Sequence, residues 1–383
     1  MRNKIILLII ILFLLLIPSE KIYSQDIEFT GQLSGGLAAN FEKPLQLRLN
    51  LRYIPELYIE KNISKKYFLD AEVSLNTYAI FDSQSLNTME TDGNIKPYRM
   101  WLRFSSNQFE ARVGLQKINF GPALLLRSLM WFDKMDPRDP LQITDGVYGL
   151  LMRYYFLNNS NIWIWGLYGN NKTKGWEVFP SQEKKAEFGG RFQFPVPSGE
   201  MALTCHHRRA DLNRGSFDMM LPENSIAPEN RLALDAKFDI GIGLWFEGAV
   251  IHQNNDSLPY QYKKTLNIGM DYTFALGNGL NIVGEHLVFN NSHEFFGPGD
   301  LTHFSAFSFN YPLSLLDTLS SIFYYDWENN SLYSFVNWKR TYDKWSFHLI
   351  GFWNPDRFQI YQVQNGTNLF TGHGFLFMVV FNH

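Results

Sequence analysis

The sequence predicts an all-β chain: a transmembrane, antiparallel, up-and-down β-barrel of about eighteen strands, with sixteen as the alternative count. Three observations predict it. Apolar residues recur at every second position through most of the chain. Short and long connections alternate along it. Aromatic residues are abundant (33 Phe, 19 Tyr, 10 Trp), while charged residues make up only 19% of 383 positions, below the ~25% of ordinary soluble domains.

The first segment reads as an export signal. Arg2 and Lys4 precede an apolar run from Ile5 to Ile17, and small Ser24 precedes Gln25. That run is too short for a spanning helix, which needs about 20 residues. Residues 1–24 are therefore expected to be a cleaved signal peptide and 25–383 a single domain. No later apolar run approaches spanning length, so a membrane crossing must be made by strands, and only a closed barrel satisfies every backbone group in lipid.

The strands follow in order. Ile27, Phe29, Gly31, Leu33, Gly35 and Leu37 alternate with polar neighbours, as do Leu45 to Tyr53 and Tyr67 to Leu75. The period of two returns at Tyr98 to Phe104, Phe109 to Leu115, Phe188 to Phe194, Leu232 to Phe238 and Leu266 to Tyr272. Residues 302–339 are poorly patterned, which is why the count could fall to sixteen. At the end, Phe375, Phe377, Val379 and Phe381 share one face. This resembles the aromatic terminal strand read by the barrel-assembly machinery, although Asn382 and His383 follow it.

A soluble sandwich also alternates, so the connections discriminate. At one end they are short: 61–65, 105–108, 157–160, 196–199, 240–243, 276–279, 312–315 and 340–344. At the other they are mostly long, among them 81–96, 117–145, 170–185, 209–229 and 354–369. Loops 81–96, 117–145, 170–185 and 209–229 are expected outside the cell.

With apolar residues outward, the lumen receives the polar set. The expected pore lining is Arg48, Arg52, Asp70, Glu72, Arg99, Arg103, Glu110, Arg112, Gln116, Arg153, Arg191, Arg231 and Asp235, with Arg208, Lys237, Glu187, Glu247, Asp271 and Glu285 on the same face. The signs nearly balance. That suits a general polar-solute pore or a lumen closed by its own ion pairs. Arg99, Arg103 and Arg112 fall on sequential strands joined by a short turn, so they should share one wall. The connection 117–145 is unusually apolar for a surface loop, with Leu124-Leu125-Leu126 and Leu129-Met130-Trp131-Phe132. It either enters the barrel as a constriction or packs on neighbouring outer loops. As a constriction it would present Arg127, Asp133, Asp136, Arg138 and Asp139.

Arg112, Gly114, Gln116, Phe120 and Gly121, followed by the Asp-Pro-rich stretch Asp136-Pro137-Arg138-Asp139-Pro140, resemble the porin-like outer-membrane barrels of the alginate-export type and related uncharacterised families. The resemblance is specific over about 110–156. It implies an eighteen-stranded outer-membrane pore for a polar or anionic solute, saccharides among them.

The formal net charge of −3 excludes a basic nucleic-acid footprint, and the lone Cys205 excludes an intrachain disulfide or a cysteine-built zinc site. No nucleophile-elbow, zincin, phosphate-loop or C-x-x-C motif is present, so neither an enzyme nor a cofactor is expected. His206 and His207 are adjacent on one strand and should face opposite sides. His293, Glu294, Asp300 and His303, or Asp133, Asp136, Asp139 and Asp145, are read as solvated loop and turn residues before they are read as metal ligands. The expected partners are outer-membrane lipid and lipopolysaccharide, the barrel-assembly machinery and a small polar solute or saccharide. A closed barrel that binds or assembles surface polysaccharide is the alternative.

Overall fold

The structure, a computed structural model, describes residues 27–42, 45–85, 88–215, 225–355 and 370–383. The expected signal peptide lies outside these residues. Eighteen antiparallel strands form one sheet: β1 Ile27–Asn40, β2 Gln46–Ser64, β3 Tyr67–Ser85, β4 Thr88–Ser105, β5 Phe109–Gln116, β6 Val147–Tyr155, β7 Asn161–Leu167, β8 Glu187–Val196 and β9 Gly199–Asp211 make the first half. The second half is β10 Ile226–Asp239, β11 Gly243–Gln253, β12 Tyr262–Phe274, β13 Leu280–Ser292, β14 Gly299–Pro312, β15 Asp317–Asp326, β16 Ser331–Thr341, β17 Trp345–Trp353 and β18 His373–Asn382. Every strand pairs with its neighbours in sequence, and β1 pairs with β18 from Gln32↔Asn382 to Asn40↔Gly374. Closure leaves no edge strand. Among the described residues the only helix is a 3₁₀ turn, Leu212–Arg214.

The period of two becomes the two faces of the wall. In β10, Arg231, Ala233 and Asp235 are buried inside while Leu232 and Leu234 are exposed outside. Leu49, Val73, Met100, Val113, Ile164, Leu203 and Ile268 extend the exposed apolar surface around the barrel. A band of this extent is well solvated by hydrocarbon and poorly by water.

At the seam, Phe375 and Phe377 face outward as the pattern requires. The two residues beyond the aromatic strand are part of the closure. His383 exchanges backbone hydrogen bonds with Gly31 (3.0 and 3.2 Å), and its imidazole lies 3.0 Å from the Tyr53 hydroxyl.

Two of the expected connections are corrected. Residues 81–85 and 88–96 are not a loop: β3 and β4 run on through them as a long antiparallel pair. The register shifts where Ser74 pairs with Arg99 but Leu75 pairs with Pro97, so Tyr98 is an extra residue on β4. Such a bulge returns Lys96 to the inner face, and this slip interrupts the simple alternation that marks a strand in sequence. The connection 170–185 is not simply an outer loop, because Lys174, Phe179 and Ser181 are buried and face the lumen contents. The connections 209–229 and 354–369 lie partly outside the described residues.

The count is eighteen because the poorly patterned stretch does form β14, β15 and β16. Their inner faces carry Phe304, Ala306, Tyr324, Tyr333 and Phe335, all buried. These strands are apolar on both faces, which blurs alternation. The reason lies in what fills the lumen.

Candidate functional site

The segment 117–146 leaves β5 and enters the barrel. Its tip packs Ala123, Leu125, Leu126 and Met130 against Trp245, Val283, Leu287, Phe304, Ala306, Tyr324, Tyr333, Phe335 and Phe352, on strands β11 to β17. Its flanks pack Ile118, Phe120, Leu129, Trp131 and Phe132 against Val147, Leu151, Trp165, Leu167, Ala233 and Ala249. The apolar run thus enters the barrel and buries itself inside the lumen, not on neighbouring outer loops. The connection after β7 lies over it: the Trp176 indole donates to the Arg127 carbonyl (2.7 Å), and the Trp176 N–H donates to the Met130 carbonyl (3.2 Å).

A buried irregular segment must find partners for its backbone. Two wall carboxylates supply them. Glu285 on β13 accepts from the N–H groups of Leu124 (2.6 Å), Leu125 (3.1 Å) and Leu126 (2.5 Å). Glu247 on β11 accepts from the N–H groups of Ala123 (2.9 Å) and Leu129 (3.1 Å) and from the Ser128 hydroxyl (2.8 Å). Asn267, between them on β12, donates to the Leu126 carbonyl. Gly121 adopts φ +93°, and a Cβ there would fall 2.3 Å from a Glu247 oxygen. The Phe120-Gly121 pair therefore matters because only glycine lets the chain turn this close to its anchor.

One arrangement occurs twice in the wall. Trp245, Gly269 and Glu285 lie in one cross-strand row, and the indole spans the bare glycine to donate to Glu285 (3.2 Å). Trp165, Gly189 and His206 form a second such row, with the indole donating to His206 Nδ1 (3.2 Å). A Cβ on either glycine would lie within 2.6 Å of the indole it carries.

All the expected lining residues lie on the inner face, but they divide into two sets. On β8 to β10 the ions are sealed. Arg191 forks onto Asp235 (2.6 and 2.8 Å), Arg208 onto Glu229 (2.6 and 2.8 Å), and Arg231 reaches Glu229 (2.7 Å) and Glu177 (2.6 Å). Lys174 holds Glu187 (3.0 Å), which also meets His206 (3.2 Å). Side-chain exposure in this set is 5% or less. These ions brace the inserted segments to the wall. As expected, His206 is buried inside and His207 exposed outside.

On β2 to β6 the charges are less covered. Arg48 pairs with Asp82, and Arg103 pairs with Asp70 (2.7 Å). Glu110 lies among Arg103, Arg112 and Arg153 at 3.8, 3.2 and 3.7 Å. The β4–β5 hairpin forms as expected and puts Arg103 directly opposite Arg112. Trp101 lies beneath Arg112 (4.5 Å) and Trp163 beneath Arg153 (3.9 Å). Arg52 lies 5.8 Å from the Tyr78 ring. Arg99 is buried and donates to the Tyr98 and Thr144 carbonyls. Glu72 accepts from the Trp101 indole (2.9 Å), and Gln116 donates to the Arg112 and Gly149 carbonyls.

The polar residues of the inserted loop turn mostly upon themselves. Arg127 forks onto Asp133 (2.9 and 3.0 Å), and Arg138 pairs with Asp136 (2.7 Å) beside the Phe335 and Phe370 rings. Asp139 caps the N–H groups of Leu141 and Ile143, and Asp145 holds Lys96. Among the described residues, no group of three acidic, His or Cys side chains is placed to hold a metal.

The sequence reading placed Glu247 and Glu285 in the lumen but did not mark them as anchors, and it did not find Asn267 or the buried Lys174–Glu187 pair. A carboxylate on the inner face of a strand looks the same in sequence whether it meets water or a loop's N–H groups.

These features define a class by fold: a closed eighteen-stranded barrel with the segment after β5 inserted into its lumen. Solved structures resemble it in fold along nearly their whole length. OccK7 (OpdD) of Pseudomonas aeruginosa aligns with a TM-score of 0.57 and 8% identity over 94% of this chain and 99% of its own. OccAB4 of Acinetobacter baumannii aligns at 0.55 and 8% over 96% and 99%. The anion-selective porin from Comamonas acidovorans aligns at 0.50 and 10% over 93% and 99%. At such identities the likeness is one of fold. No protein-family model and no curated relative matches the chain.

Proposed function

We propose that the protein is a non-enzymatic outer-membrane channel for small polar or anionic solutes, saccharides among them. One observation carries this reading: the lumen is filled unevenly. Against β8 to β10 the charged side chains are sealed at 5% exposure or less. Against β2 to β6, Arg48 and Asp82 (13% and 15%), Arg103 (28%), Arg112 (16%) and Arg153 (18%) remain accessible. A solute path would run along this side and past the inserted loop, with Arg48, Arg52, Arg103, Arg112 and Arg153 facing it, Glu72 and Glu110 set among them, and Arg99 and Asp70 buried in the wall behind. Fixed charge at a narrow passage sets ion preference, because screening by water is weaker there. The apolar exterior fits lipid, and the likeness in fold to an anion-selective porin supports the same setting.

Bilayer electrophysiology tests the reading. The purified barrel should conduct. Changing Arg99, Arg103 and Arg112 together to Gln leaves Asp70, Glu72 and Glu110 in place, so the reversal potential should shift toward cations with conductance retained. A wild-type barrel without conductance, from which deletion of residues 122–140 opens none, would favour the closed polysaccharide-binding barrel instead.

A further inference from the structure

The inner arginines nearly all meet carboxylates, but one group of basic side chains on the outside does not. On β9 to β14, the outward positions toward the long connections carry His207 and Arg209 on β9, His252 on β11, Lys264 on β12 and His303 on β14; His286 lies at the middle of β13. None of the six forms an ion pair among the described residues. His207 meets Asn230 (2.8 Å), His252 stacks on Tyr262 (4.4 Å), and His286 meets Ser305 (2.9 Å) with the His303 ring 5.7 Å away. Lys264 donates to the Phe295 carbonyl (2.8 Å), leaving two of its three ammonium hydrogens unused.

The group is one-sided. At the same end of the barrel, β6, β16 and β17 present Tyr148, Leu332 and Trp353, and His373 on β18 is already paired with Glu42 (2.9 Å). Aromatic side chains accompany the basic ones: Phe295 lies edge-on to Tyr262 (5.8 Å), Phe296 is 95% exposed, and the Trp327 indole donates to Ser305 (2.9 Å). Arg209 and Lys264, with the histidines toward the long connections and the aromatic rings beside them, lie just beyond an apolar band, at the level where lipid headgroups meet the barrel; His286 lies deeper. Five interstrand gaps of about 4.8 Å spread the group over roughly 24 Å of circumference.

We propose that this face of β9 to β14 is a docking surface for a lipid of the outer leaflet that carries more than one phosphate. The placement rests on the barrel spanning an outer membrane, as proposed above, but not on its conducting. Two features select this occupant. Arg209 and Lys264 lie on the outside, where no carboxylate among the described residues pairs with them, and phosphate is the headgroup chemistry that would. Their spread exceeds what one isolated phosphate can reach, so a headgroup with separated phosphates engages more of them.

The test titrates the intact, detergent-purified barrel with a multiply acylated diglucosamine lipid bearing two phosphates, followed by native mass spectrometry. The same lipid without phosphates and free inorganic phosphate are run alongside. The diphosphorylated lipid alone should be retained. The triple variant Arg209→Gln, Lys264→Gln and His303→Gln should bind it at least about tenfold more weakly. The variant Lys61→Gln with Arg340→Gln, at the opposite end, should bind as wild type. Heat-modifiable gel mobility establishes that each variant is folded. Equal retention of the phosphate-free lipid, wild-type affinity in the folded triple variant, saturation by inorganic phosphate alone, or a wild-type oligomer that the triple variant dissociates would each overturn the proposal. Conductance of the same preparations separates the two readings: a barrel that conducts without selective lipid retention sinks this one, and one that retains lipid without conducting sinks the channel.

Discussion

Replacing Glu285 by Gln should release the inserted loop although the new side chain has almost the same shape. One carboxylate oxygen accepts from the Leu124 N–H and the Trp245 indole, and the other from the N–H groups of Leu125 and Leu126 and the Asn267 amide. An amide retains one acceptor and puts a donor in place of the other. Whichever way it turns, at least two buried donors face an N–H₂ group. Each buried donor left unmet costs ~1–3 kcal/mol, so the change costs roughly 2–6 kcal/mol. The apolar grip of the tip, chiefly Leu125, Leu126 and Met130, contributes about 2 kcal/mol per side chain or some 6 in all. The two are comparable, so the loop tip should leave its seat for much of the time while the barrel wall stays intact. Single-channel recording should show conductance raised several-fold, and limited proteolysis of the folded, membrane-inserted protein should cut within residues 122–132. Wild-type conductance together with wild-type protection in Glu285→Gln would refute the reasoning.

Two further outcomes follow from the wall. Val113 is 51% exposed on the outer face, so Val113→Arg should cost ~2–4 kcal/mol if it lies near mid-membrane; Arg112→Leu, one residue away, should assemble, because Glu110 still has Arg103 and Arg153. Urea titrations of the two refolded variants check this, and equal tolerance would mean the faces are exchanged. A cysteine introduced at exposed Asn213 should react with an impermeant label on intact cells while one at Asn159, in a short turn, should not. The reverse pattern would invert the barrel.

What could be read from the sequence depended on whether a strand's two faces differ. β2, β5 and β10 separate arginines and acids from leucines and valines, so their extent and register were plain. β14 to β16 do not, since Phe304, Tyr324 and Phe335 face a loop that arrives from β5, and no local pattern announces a partner some 200 residues away. The parts of β3 and β4 within 81–96 look like a loop in the sequence because the extra residue at Tyr98 reverses the alternation partway along β4. Loop 117–145 stood out by its apolar runs, but its destination depended on Glu247 and Glu285, which alternate with apolar neighbours like any other inward carboxylate. The interleaving of Arg103 and Arg112 with Asp70 and Glu110 needed the register between strands, which a single sequence supplies only where a turn is short.

The seat of the inserted loop has a consequence for the order of assembly. Its ends belong to β5 and β6, but its anchors are Glu247 and Glu285, which enter the chain about a hundred residues later or more. A chain built from its amino-terminal half alone therefore has the loop but nowhere to put it. Until β11 to β13 join the sheet, Leu125, Leu126 and Met130 have no wall to cover them, and such an intermediate is prone to associate with other chains. Lumen filling and the addition of the later strands are thus one event, not two. A shortened chain ending after β9 should fail by aggregation and not persist as a stable half-barrel.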